Sequence, residues 1–230
     1  MISMDIEYIK DNYIFEKLNE SHNLDDFECE SEDLTNFLKE DALNQQNMNL
    51  SLTHVVICDD TVVGYVSILT DAMKLKILED KETKDKIRSK LNISENNVIP
   101  AIKIGRFAID KKYANKGLGK HVFRNVLLSI LDISENIVGL RFITVDAYAT
   151  AFGFYVEKHK FKYLKKDQKD GQQLFLRKIY QGEITDPDQK IFEKNGFQLK
   201  QFDSGMFFVM AVKYNCHFAT PEDKQLYLFA

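Results

Sequence analysis

The sequence has no tryptophan, only three prolines and three cysteines, and no apolar run that approaches the length of a membrane span. Each shortage excludes something. Three prolines and ten glycines in 230 residues rule out a collagen-like or low-complexity chain. Cys29, Cys58 and Cys216 are widely separated and odd in number, so they form neither a zinc-site pair nor a redox motif, and they read as reduced cytosolic thiols with Cys58 in a core strand. The opening MISMDIEYIK holds no apolar signal core, which points to a cytoplasmic protein that meets no membrane. An excess of positive charge is also missing. With 31 basic and 35 acidic side chains the net charge is −4, which removes any general case for nucleic-acid binding and leaves only a local basic patch.

What is present is a globular composition, with 44% apolar residues, 17 Phe and 10 Tyr, enough for one substantial core or one domain with an appendage. Residues 13–18 (YIFEKL) alternate as a half-buried strand does. Ser31, followed by Glu32 and Asp33, reads as an N-cap, and Leu34, Phe37, Leu38 and Ala42 mark one helix face that ends in the polar tract 44–49. Residues 53–58 (THVVIC) and 62–69 (VVGYVSIL) predict a hairpin closed by Asp59, Asp60 and Thr61. The lysine-rich and acid-rich residues 71–91 predict a solvated helix.

Residues 101–134 organise the rest. A mostly apolar strand (AIKIGRFAI, opened by Pro100) passes through the turn 110–119 into a helix whose Leu118, Val122, Val126, Leu127, Ile130 and Leu131 share one face. The first amides of a helix lack partners within it and lie at the positive end of its dipole. Gly117 and Gly119 would let a phosphate reach those amides, with Lys116 and Lys120 adding charge. A P-loop fails, because Ala114 and His121 stand where glycine and Ser or Thr are needed, and the dinucleotide fingerprint fails at Val122. A glycine serving only a close helix contact is the competing reading. Residues 140–145 (LRFITV) then predict a buried strand, 146–159 a helix, and 161–164 with 172–179 a hairpin.

The segment RFAIDKKYANKGLGKHV (106–122), with A-x-x-F-Y at 151–155 after the next strand, resembles the GNAT superfamily of acyl-CoA-dependent N-acyltransferases. The resemblance spans roughly residues 10–180. It implies an α/β fold: a mixed, mostly antiparallel sheet with helices on both faces, an acyltransferase domain over 1–180, and an α+β extension over 181–230. It implies acetyl-CoA as co-substrate and no metal. Ala114, Asn115, Lys116, Gly117, Leu118, Gly119 and Lys120 would hold the pyrophosphate, and Phe107, Ala108 and Ile109 would run beside the pantetheine. Tyr155 becomes the catalytic acid, its phenol hydrogen-bonding or protonating the departing thiolate. As plain aromatics, Tyr155 and Phe154 would simply pack a helix.

Four departures qualify this match. Ala114 replaces the family's Gln or Arg, Tyr148 its Asn and Lys160 its glycine, and one extra residue lies between Tyr155 and Phe161. Glu28, Glu30, Glu32, Asp33 and Asp146 could face a substrate, yet each also reads as a cap or a solvated charge, so no base is assigned. The implied reaction is direct acetyl transfer to a primary amine in a ternary complex. FECESEDLTNFL (27–38) is similar to the first helix of the toxins that acetylate aminoacyl-tRNA, which makes tRNA an alternative acceptor that the net charge argues against. A non-catalytic acyl-CoA-binding module is a further alternative, favoured by Ala114, Tyr148 and Lys160. Residues 191–212 echo 154–179 with Phe192 in the place of Tyr155, and could extend the sheet, form a homodimer interface or be a packed appendage.

Overall fold

The computed structural model describes residues 4–77, 81–147, 151, 153–159, 161–163 and 208–213. They divide into two compact units, one from Met1–Thr70 and Ile102–Leu140, the other from Asp71–Ala101 and Arg141–Lys213.

The first unit begins with a helix that the sequence reading had passed over. In α1 (Ile6–Asn12) the Asp5 carboxylate accepts from the Tyr8 amide, and Ile9 faces inward. Next comes β1 (Ile14–Lys17), which pairs antiparallel with β2 (Leu52–Cys58), itself paired antiparallel with β3 (Thr61–Lys74). Asp59 and Asp60 close the predicted hairpin with φ of 46° and 58°, the positive angles that a tight two-residue turn requires. Between β1 and β2 the Ser31 hydroxyl accepts from the Leu34 amide to start α2 (Glu32–Asn36), which continues through a π-helical turn at Phe37–Asp41 into α3 (Ala42–Asn47). The central strand is β4 (Val98–Ile109), and the Asp110 amide after it donates to the Val63 carbonyl on β3. At Gly64 a Cβ would come within 2.9 Å of the Ala108 carbonyl, so only glycine lets β3 lie this close to the end of β4.

Alternation divides the strand side chains between two helical layers. Val55, Val62, Tyr65 and Ala108 pack with Phe37, Leu38 and Ala42 from α2, the π turn and α3. Val56, Cys58 and Val63 pack with Ile9, Tyr13, Leu118 and Val122, the last two from α5 (Leu118–Asn136). Each fully buried apolar side chain contributes about 1.5–3 kcal/mol, so both layers are needed to hold the four-strand order β1-β2-β3-β4. Helices therefore cover both faces, as expected.

The second unit corrects the sequence expectations in two places. Residues 71–74 belong to β3 rather than to a solvated helix, because Met73 is buried there and Leu75 just beyond it, both with Ile99, Ala101 and Phe142. The helix expected there is α4 (Lys81–Leu91). Asp146 lies in β5 (Phe142–Ala147) rather than in a helix, paired with Val209 of β7 (Phe208–Lys213). Strand β7 is antiparallel both to β5 and to β6 (Lys162–Tyr163), giving the order β5-β7-β6. The expected partner of β6, residues 172–179, lies outside the described residues, as do Tyr148 and Lys160. The Arg141 amide donates to the Pro100 carbonyl at 3.0 Å, so β4 and β5 begin side by side, as the strands of a crossover unit do.

Candidate active site

Residues 114–120, expected to form a cradle, lie in the first unit. Gly117 is the N-cap of α5 at φ 88° and ψ −10°, a left-handed conformation that an L side chain rarely adopts. No side chain caps the helix, and its first hydrogen bond runs from the His121 amide to the Gly117 carbonyl at 3.2 Å. The amides of Leu118, Gly119 and Lys120 precede that bond, so nothing within the helix satisfies them. A Cβ placed on Gly117 would meet no atom nearer than the Lys10 Nζ at 3.9 Å. The approach to the helix start is open, and the residues present fit a pyrophosphate.

Lys10 had no place in the sequence reading. It lies on α1, where its Nζ bonds the Glu7 carboxylate at 2.7 Å and stands beside Gly117. The available signal was the Asp5 cap with Ile6, Ile9 and Tyr13 at helical spacing, which would have placed Lys10 in the last turn of a helix. Lys116 turns back to donate to the Lys112 carbonyl at 2.9 Å, and Lys120 is exposed. His121 is held neutral: burial lowers its pKa, and the charges of Lys10 and Arg124 lower it further. Its Nε2 accepts from Asn125, which also bonds the Tyr13 hydroxyl, so this histidine joins α5 to α1 and leaves the anion chemistry to the amides and lysines.

The turn itself is clamped from below and from one side. Tyr113, buried among Ile9, Leu118 and Val122, anchors its middle. Asp110 is buried at its start, where its two carboxylate oxygens accept from the Lys112 amide at 2.8 Å and the Glu28 amide at 3.3 Å. Burial raises Asp110 above the ordinary carboxylate range, opposed by the Lys112 bond. Glu28 pairs with Lys111, and Glu30 accepts from the Asn115 side chain at 2.7 Å. Asn115, at φ 60°, is therefore held in its left-handed conformation by Glu30. Two of the five candidate bases thus serve as tethers of the cradle, and Glu32 and Asp33 occupy the first turn of α2, where acids complement the helix dipole. Ala114 is half-buried. Ala108 faces the α2 layer, while Phe107 and Ile109 face the α1 and α5 layer.

Tyr155 stands in the second unit, in a π-helical turn at Phe154–Lys158. Its ring meets Phe154 and Phe161 edge-on, and its carbonyl accepts from the Phe161 amide at 3.0 Å. A π turn takes up one residue more than an α turn, so the extra residue after Tyr155 is absorbed there and Phe161 is still brought back against the phenol ring. The side chain is 7% exposed, and burial pushes its pKa above the ordinary phenol range. The hydroxyl is a hydrogen-bond donor at any physiological pH. Among the described residues no group of three His, Cys, Asp or Glu could hold a metal, and no helix is long and apolar enough to cross a membrane.

Sheet order, helices on both faces and a glycine-opened helix after the central strand define the class: the chain has the GNAT fold. Among solved structures it is similar to the AtaT toxin complexed with acetyl-methionyl-tRNAfMet, at 21% identity and a TM-score of 0.57 over 66% of this chain and 87% of that one. A tyrosine-to-phenylalanine mutant of KacT matches at 19% identity and a TM-score of 0.54, over 88% of this chain and 95% of that one. AtaTR bound with AcCoA matches at 20% and 0.52, over 69% and 90%. No family model matches the sequence.

Proposed function

We propose that this protein is an acetyl-CoA-dependent N-acetyltransferase whose acceptor is the free amine of an aminoacyl-tRNA. The observation that carries the first half is Gly117 in its left-handed conformation, opening a 19-residue helix whose leading amides have no cap. That arrangement suits the phosphates of a diphosphate. The AtaT complex with acetyl-methionyl-tRNAfMet supports the second half, as does the match of 27–38 to a toxin-like first helix, realised here as α2 with its Ser31 cap. The net charge of −4 favours a second reading, a small-molecule or protein amine.

Acetyl-CoA would supply an acetyl thioester, its pyrophosphate on the amides of 118–120 with Lys10, Lys116 and Lys120 around it, and its pantetheine along Phe107, Ala108 and Ile109. The acceptor nitrogen attacks the carbonyl carbon, the carbon–sulfur bond breaks and its electron pair leaves on sulfur. The surplus proton of the amine passes to water, since the nearby acids are engaged elsewhere. Tyr155 supplies the hydrogen bond to sulfur. With its pKa raised by burial, the phenol stabilises the developing thiolate chiefly by donating, and completes the proton transfer only as negative charge accumulates.

Calorimetric titration with acetyl-CoA and with a pantetheine fragment lacking the pyrophosphate tests the cradle, and only the first should bind tightly. Tyr155→Phe should then lower kcat about 100-fold or more with acetyl-CoA affinity unchanged. Tight binding without turnover of any amine would leave a non-catalytic acyl-CoA-binding module and end the enzyme reading.

A further inference from the structure

Arg106 differs from the cations that form surface ion pairs. Lys86 pairs with Glu82, Arg88 with Glu95 and Lys111 with Glu28, all with exposed side chains. Arg106 is half-buried on the α2 face of β4, yet among the described residues no carboxylate lies within ion-pair reach of it. Its Cζ sits 5.0 Å from the centroid of the Phe37 ring, and its Nη1 donates to the Gly105 carbonyl at 2.9 Å. Its Nε is buried and meets no acceptor among the described residues.

The ring beneath it is fixed. Phe37 stacks on Tyr65 at 6.1 Å and 22°, and the Tyr65 hydroxyl donates to the Leu34 carbonyl at 2.7 Å. Phe37 also opens the π turn, an irregular turn that is common at functional sites. A guanidinium held over an aromatic face is restrained in its motion while some of its donors stay unused. Half-burying a cation without a counter-ion costs stability that a bound anion would return. Arg106 also lies one residue before Phe107, the first of the β4 residues expected to run beside the pantetheine.

We infer that Arg106 is an acceptor-binding residue that takes a phosphate oxygen of the acceptor's terminal nucleotide, using the planar fork that matches phosphate geometry. The inference rests on the aminoacyl-tRNA reading, in which the terminal nucleotide brings a phosphate close to the reactive amine.

The test compares three acceptors with the full-length protein: an aminoacyl-tRNA, a 3′-aminoacyl-adenosine 5′-phosphate and the same nucleoside without phosphate. The wild type should prefer the phosphorylated pair. Arg106→Gln should lose about tenfold or more in kcat/KM on both phosphorylated acceptors, corresponding to about 1.4 kcal/mol, with no change on the nucleoside or in acetyl-CoA affinity. Arg106→Lys, which retains the charge and loses the fork, should recover part of the preference. Equal losses on all three acceptors, or a phosphate preference kept in Arg106→Gln, would overturn the assignment while leaving the aminoacyl-tRNA reading intact. A wild type that acetylates none of the three would overturn that reading and this assignment together.

Discussion

His54 shows how one buried side chain sets a pH limit on this fold. It lies in β2, 4% exposed, opposite Lys17 of β1 and Val66 of β3. Burial, aided by the charge of Lys17, lowers its pKa from 6.5 to about 4. Between those values the unfolded chain binds the proton and the folded chain does not, so stability falls as pH drops from 6.5 toward 4 and is unaffected above that range. The whole shift is worth up to about 3 kcal/mol. Asp110 works in the opposite sense, because burial raises its pKa and acidification favours its folded form. Urea denaturation at pH 7 and pH 4.5 should therefore show a falling midpoint for the wild type, and His54→Leu should lose most of that fall. Parallel falls in both proteins would place the acid sensitivity elsewhere. Tyr155 will add no ionisation to a rate profile below pH 10, since burial moves its phenol upward.

At the scale of elements, α5 carries the candidate site and was the most legible part of the sequence. Its apolar periodicity and its glycines placed its start within about two residues of Leu118, because helix period and left-handed caps are both local signals. Local letters said less where partners decide: Asp146 reads as a helix start until β7 pairs with it, and 71–74 read as solvated until Met73 is buried. Lys10 escaped because its role depends on α1 packing beside α5, a long-range fact. Gly117→Ala separates the two jobs of the helix start. It should cost about 1–2 kcal/mol of left-handed strain, lowering Tm by a few degrees, and a methyl group in the anion path should weaken acetyl-CoA binding about tenfold or more. Lys10→Gln should weaken binding by a smaller factor and leave Tm unchanged. Scanning calorimetry beside the acetyl-CoA titration reads both, and undiminished binding by Gly117→Ala would remove the cradle from this helix.

At the scale of the whole molecule, the division into an acyltransferase domain over 1–180 and an extension over 181–230 meets a structural fact that single elements do not show. Residues 208–213, inside the supposed extension, form β7, which lies between β5 and β6 and pairs all six residues of β5. A strand with neighbours on both sides cannot be an appendage to its sheet, because removing it leaves two unpaired edges and strips the partner from Thr144, Val145 and Asp146. The sequence echo gives two segments a similar claim on β6. Residues 154–179 and 191–212 carry similar patterns, so the nearer copy, 172–179, offered itself as the partner of β6 by short connection alone. Ending the chain after residue 180 decides between the two. The truncated protein should lose its cooperative thermal transition or precipitate, since β5 is left without its antiparallel neighbour, while the full chain melts as one. A truncated protein that melts cooperatively within a few degrees of the full chain and still binds acetyl-CoA would mean that 172–179 can fill the same place, that 1–180 is a complete domain, and that the second copy serves another purpose.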